Sequence, residues 1–171
     1  MAATYTALAT VEVGSGGAAS MDFTSIPATY TDLCILVSAR TALADPTGTL
    51  AFTINGSTSG YTNRNLYGDG SSVGSFYDNT TNKAWAGIIT GANATANTFG
   101  SAFIYIPNYA GSNNKSFNSD VVMENNATLS YAVINAGLWS NTAAITSIEL
   151  NGNGYNFAQY STATLYGIKN S

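Results

Sequence analysis

The spacing of turn residues constrains this chain more than any other feature. Gly, Asn and Asp punctuate it throughout, and between them lie short runs of Thr, Val, Ile, Tyr and Phe, the residues that suit a pleated, half-buried surface. Leu, Lys, Glu and Arg, which favour helices, are scarce. The chain therefore reads as all-β, with strands expected at residues 9–13, 19–23, 32–40, 49–54, 64–67, 73–77, 84–89, 101–106, 119–124, 130–138, 146–150 and 159–168. "GSGG" after Val13 reads as a hairpin loop, and Asn55–Gly56 and "NGNG" at 151–154 read as tight turns, because Asn and Gly accept the positive φ that such turns need. Pro27, Pro46 and Pro107 fall at strand ends or loops, where a missing N–H does no harm.

The last run, "YNFAQYSTATLYGI", shows the period. Tyr160, Thr162, Thr164 and Tyr166 point one way, and Ser161, Ala163 and Leu165 the other, so one face enters a core while the other is built of hydroxyls and rings. Residues 33–39 and 103–106 are apolar on both faces and belong in the middle of packed sheets, whereas 146–150 and the last strand alternate and should be half exposed. Two antiparallel sheets packed face to face accommodate both kinds. The expected fold is an antiparallel β-sandwich, jelly-roll-like, with an immunoglobulin-like sandwich as the alternative.

At 171 residues the chain suffices for one domain that buries about 70% of its unfolded surface. Residues 1–171 read as that single domain, with residues 1–7 as an N-terminal arm. Only 8% of residues are charged, against about 25% in an average soluble protein, so the surface must be made of Ser, Thr, Asn and Gly. Five cations scattered against nine anions form no basic patch, which argues against nucleic acid as a partner and against a polybasic membrane contact. The start has no secretory signal pattern and no apolar run is long enough to span a bilayer, giving the expectation of a protein made in a cytoplasm. Cys34, the only cysteine, rules out an internal disulfide and reads as a small buried hydrophobe.

With no histidine in the chain, imidazole-dependent nucleophiles and acid–base pairs are excluded. Only carboxylate chemistry remains, and no pair among the nine acids is singled out. Asp69 in "YGDGSS" and Asp78 in "YDNTTN" read as turn residues through side-chain-to-backbone bonds. No calcium-loop pattern occurs, and the expectation is no enzyme, no metal and no cofactor. "GSGGAA" at 14–19 matches a dinucleotide fingerprint in letters only, since a strand and turn follow it where a helix is required. Five sequons begin at Asn55, Asn79, Asn93, Asn114 and Asn126, which chance supplies in a chain of this composition. Trp85 and Trp139 read as strand-end core residues. Tyr109, Tyr155 and Phe157 lie in predicted loops, where a ring either caps the sandwich or contacts a partner or glycan.

The phrases "FTSIPATYTDLCILVSAR", "INGSTSGYTNRNLYGDGSS", "NTFGSAFIYIPNYAGSNNKSF" and "GLWSNTAAITSIEL…NFAQYSTATLYGIK" together resemble a group of small tailed-phage virion proteins of marine and other environmental phages, of the head-decoration (capsid cement) or fibre type. The resemblance runs over nearly the whole chain and carries no catalytic motif. It implies a bacteriophage structural protein present in many copies on the outer capsid surface. Its partners would be the major capsid protein and neighbouring copies of itself, a trimer being one assembly compatible with phage symmetry. The alternative it leaves is a tail or fibre module that binds a receptor or glycan.

Overall fold

The computed structural model describes residues 5–78, 82–127 and 129–169, the side chain of Asp78 excepted. Among them every regular element is a strand: β1 (Tyr5–Glu12), β2 (Ser20–Phe23), β3 (Asp32–Ala39), β4 (Thr47–Ile54), β5 (Tyr61–Gly68), β6 (Val73–Asp78), β7 (Ala84–Thr90), β8 (Gly100–Ile106), β9 (Lys115–Glu124), β10 (Ser130–Trp139), β11 (Ile148–Asn151) and β12 (Thr162–Ile168). They form an eight-stranded sheet in the order β1-β12-β3-β8-β9-β10-β5-β6 and a four-stranded sheet in the order β2-β11-β4-β7. Every strand pair is antiparallel. The fold is the β-sandwich that the alternation of residue types calls for.

The core lies between the two inner faces. Leu33, Ile35 and Val37 of β3 and Ile104 and Ile106 of β8 meet Leu50, Phe52 and Ile54 of β4 and Ile148 and Leu150 of β11, all buried in one cluster. Each such side chain contributes about 1.5–3 kcal/mol by leaving water. Phe52 meets Phe117 edge to face at 4.9 Å, and Tyr61 stacks on Trp139 at 6.3 Å near one end. Gly137 on β10 lies under the Phe117 ring so closely that a Cβ there would overlap it. Hydrogen bonds also cross the sandwich: Ser119 Oγ donates to Ala86 O at 2.5 Å and Asn135 Nδ2 to Trp85 O at 2.8 Å, fixing β7 over β9 and β10.

Several expectations are corrected. Residues 5–7 are no arm, since Tyr5, Thr6 and Ala7 pair with Ile168, Gly167 and Tyr166; residues 1–4 of that predicted arm lie outside the described residues. "GSGG" turns tightly, with Gly17 N donating to Gly14 O at 3.0 Å, but it is a corner between sheets and not a hairpin, because β1 and β2 belong to different sheets. Tyr160 is outside the last strand: its φ of 70° breaks the extended run, and alternation resumes at buried Ser161 and Ala163. The Asn153–Gly154 turn forms as expected, with φ of 55° and 95° and Tyr155 N donating to Gly152 O at 3.3 Å.

Candidate functional site

Of the three rings expected in loops, two are in the core. Tyr109 follows a turn at Asn108, whose φ is 49°, and is fully buried, its hydroxyl donating to Pro27 O and accepting from Tyr30 N at 3.4 Å. Phe157 is buried because its backbone is paired with Ala18 on one side and bridged to Thr41 on the other, which leaves the ring only the interior. Neither can contact a partner or glycan: Tyr109 packs by the residues that enter β3 and Phe157 by those that leave it. Tyr155 alone of the three is on the surface, 47% exposed.

The polar candidates are structural where described. Asp69 Oδ1 accepts from Ser71 N and Ser72 N at 2.9 and 2.7 Å, and both serine hydroxyls donate to the same carboxylate, which holds it well below the usual carboxylate range. The Asp78 side chain and the sequon at Asn79 lie outside the described residues. Cys34 is buried, and burial pushes its thiol up to about 11. Trp139 is core, whereas Trp85 is only partly buried and meets Phe76 edge to face at 5.2 Å. Three of the five cations are engaged by main-chain carbonyls: Arg64 donates to that of Asn63 at 2.8 Å, Arg40 to those of Ala92, Ala94, Thr95 and Thr98, and buried Lys115 to those of Gly111 and Asn113. Burial lowers the pKa of Arg40 and of Lys115.

The largest open surface is the outer face of the eight-stranded sheet, which the four-stranded sheet does not cover. The registers align Thr164, Leu36, Phe103, Asp120, Ile134 and Leu66 in one row across six strands. Leu36 is 46%, Ile134 61% and Leu66 56% exposed, and Val122 in the next row is 47% exposed. Asp120 is the one charge in the row. Over β12, β3, β8 and β9 this face dips into a depression of about 410 Å³, bordered by Leu36, Phe103, Val122, Thr162, Thr164 and Tyr166. β3 and β8 are thus central in the sheet, as expected, but on the second face of β3 Leu36 and Ser38 are exposed while Cys34 is buried.

A second depression, about 420 Å³, opens on the other sheet. Thr53 of β4 and Glu149 of β11, directly paired in register, are among its lining residues. The turn carrying Tyr155 and Asn156 forms one side, with Lys83 and Thr58 also lining it. Lys83 Nζ donates to Asn153 Oδ1 at 2.5 Å, tying the residue before β7 to the turn after β11. Asp22, opposite Glu149 on β2, makes the adjoining surface acidic.

No family model, curated protein or solved structure matches this chain. Sequence reading missed Leu36, Val122, Ile134 and Leu66 as surface residues. For Leu36 the signal was present in "LCILV", as it was for Phe103 in "FIYI": a strand apolar on both sides is either covered twice or presents one face to a partner.

Proposed function

We propose that this chain is a structural protein of a tailed-phage virion, a head-decoration protein that seats the outer face of its eight-stranded sheet on the major capsid protein, in many copies over the outer surface of the head. The observation that carries this reading is the uncovered row in which Leu36 and Phe103 lie on one side of Asp120 and Ile134 and Leu66 on the other, since exposed apolar surface of this extent marks a docking site. Eight strands about 4.8 Å apart and about eight residues long cover roughly 34 by 26 Å. That matches the ~800 Å² per partner of a standard protein interface. Threonine and tyrosine hydroxyls around the row add hydrogen bonds without the desolvation cost of buried ions, and repetition over a shell multiplies each contact. The resemblance of the phrases quoted above to tailed-phage virion proteins is in keeping with this reading.

Quantitative mass spectrometry of purified virions tests it. A copy number comparable to that of the major capsid protein is expected; a handful per particle would overturn the decoration role and favour a tail or fibre. Ile134→Lys gives the surface-specific arm. Opposite Asp120, the lysine makes a favourable cross-strand pair and leaves folding stability within about 0.5 kcal/mol. Docking, however, loses the isoleucine's burial and must strip water from a charge, at about 3 kcal/mol or ~100-fold in affinity. Capsid occupancy unchanged by this variant would exclude the face.

A further inference from the structure

We propose that the depression beside Tyr155 is a binding site for a neutral saccharide. Its lining decides among ligand classes. Tyr155 presents a ring 47% exposed, a flat apolar surface for the C–H face of a pyranose. Around it stand groups that both donate and accept, the hydroxyls of Thr53 and Thr58 and the amide of Asn156, with Glu149 as an acceptor and Lys83 as a donor. That mixture suits a polyol, whose hydroxyls do both. An apolar ligand would find one ring and little else. A phosphate, nucleotide or acidic sugar would meet Glu149, with Asp22 opposite it, and among the described lining residues has only Lys83 as a cation to offset them. The volume of about 420 Å³ lies within the usual range of small-molecule sites.

The site is held in shape before any ligand arrives. The Asn153–Gly154 turn has both central residues at positive φ, which fixes where Tyr155 emerges. The Lys83–Asn153 bond anchors that turn from the far side, and Thr58 sits in the short loop that Tyr61 fastens through Ile54 N and Ser57 O. A rigid lining removes much of the ordering cost that weakens small-ligand binding. The two depressions lie on the outer faces of opposite sheets. If the larger sheet seats on a capsid, which is the reading given above, Tyr155 faces the medium, where host or environmental glycans are. The binding itself does not depend on that reading.

The test uses the full soluble chain, labelled with ¹⁵N and titrated with methyl glucoside, methyl galactoside and methyl mannoside, with N-acetylneuraminic acid as the acidic comparator. At least one neutral glycoside should shift the amide resonances of Tyr155, Asn156 and Thr53 saturably, with a dissociation constant on the order of 1–10 mM, and the acid should not. Tyr155→Ala should weaken binding about tenfold, whereas Tyr155→Phe, which keeps the ring, should stay within about twofold. Overlaid spectra away from the turn establish that both variants are folded. No saturable shift from any neutral glycoside up to about 100 mM, or equal binding by Tyr155→Ala, overturns the proposal. A low virion copy number with glycoside binding intact would remove the capsid role and leave the site.

Discussion

The turn from β4 to β5 passes the chain from one sheet to the other, and while Asn55 ties its outer side to Ala144, Thr146 and Ser147, one buried hydroxyl fastens it from within. Tyr61 is fully buried; its Oη accepts from Ile54 N at 2.8 Å and lies 3.3 Å from Ser57 O, to which it donates, while its ring stacks on Trp139. Tyr61→Phe keeps the stack and removes the oxygen, leaving the Ile54 N–H buried without an acceptor, which costs about 1–3 kcal/mol. Tyr61→Ala also empties the ring's place and should cost about 3–5 kcal/mol. Urea unfolding followed by tryptophan fluorescence measures both as shifts of midpoint at constant slope. In thermal unfolding each kcal/mol should appear as about 2–4 °C for a chain of this size. A Tyr61→Phe loss below about 0.5 kcal/mol would refute the reasoning, for the hydrogen bond would then contribute nothing net. The same variant loosens the loop that carries Thr58, so its glycoside affinity should fall although the residue lies outside the depression.

Two other perturbations probe different forces. Tyr105 donates to Asp32 Oδ2 at 2.8 Å, and that bond, helped by burial, pushes the phenol up to about 12 from an ordinary 10.0. The folded state thus holds this proton more tightly than the unfolded one: its stabilising contribution is complete below pH 10 and drains away as pH rises through about 12. Tyr105→Phe should therefore show a flatter loss of stability across that window in urea titrations, and an unchanged slope would count against the Asp32 bond as its cause. Gly137→Ala drives a methyl into the Phe117 ring and should cost about 1–3 kcal/mol by overpacking; pairing it with Phe117→Leu should recover part of that loss in the same assay.

How far the sequence could be read depended on whether the deciding force was local. Strand positions were legible because they follow from a two-residue period and from turn residues such as Asn55–Gly56, whose φ values of 51° and 66° only a few residue types accept. Which strand pairs with which was not, since β12 beside β3 is decided by the fit of whole faces and leaves no signature in either segment. Tyr109 and Phe157 were misplaced for a related reason. Loop residues are ordinarily outside, but here a positive-φ turn and a bridge on each side of the backbone, both tertiary outcomes, direct the rings inward. Tyr155 differs by being the residue that closes an Asn–Gly turn, a local feature, and it is the one that stayed outside.

The neighbours of β12 set an order of events for folding. Thr162–Ile168 lies between Tyr5–Glu12 and Asp32–Ala39, so β1 touches the rest of its own sheet only through a segment about 150 residues further along the chain. During synthesis at about 5–20 residues per second, β1 would wait on the order of ten seconds for its partner, with both its edges open and β3 bare on one side. Closing so long a loop is slow, and unpaired strand edges invite other chains in the interval. Yield on refolding should therefore depend steeply on protein concentration, and a trans-acting peptide of residues 162–168 should compete for that gap before the chain's own strand fills it.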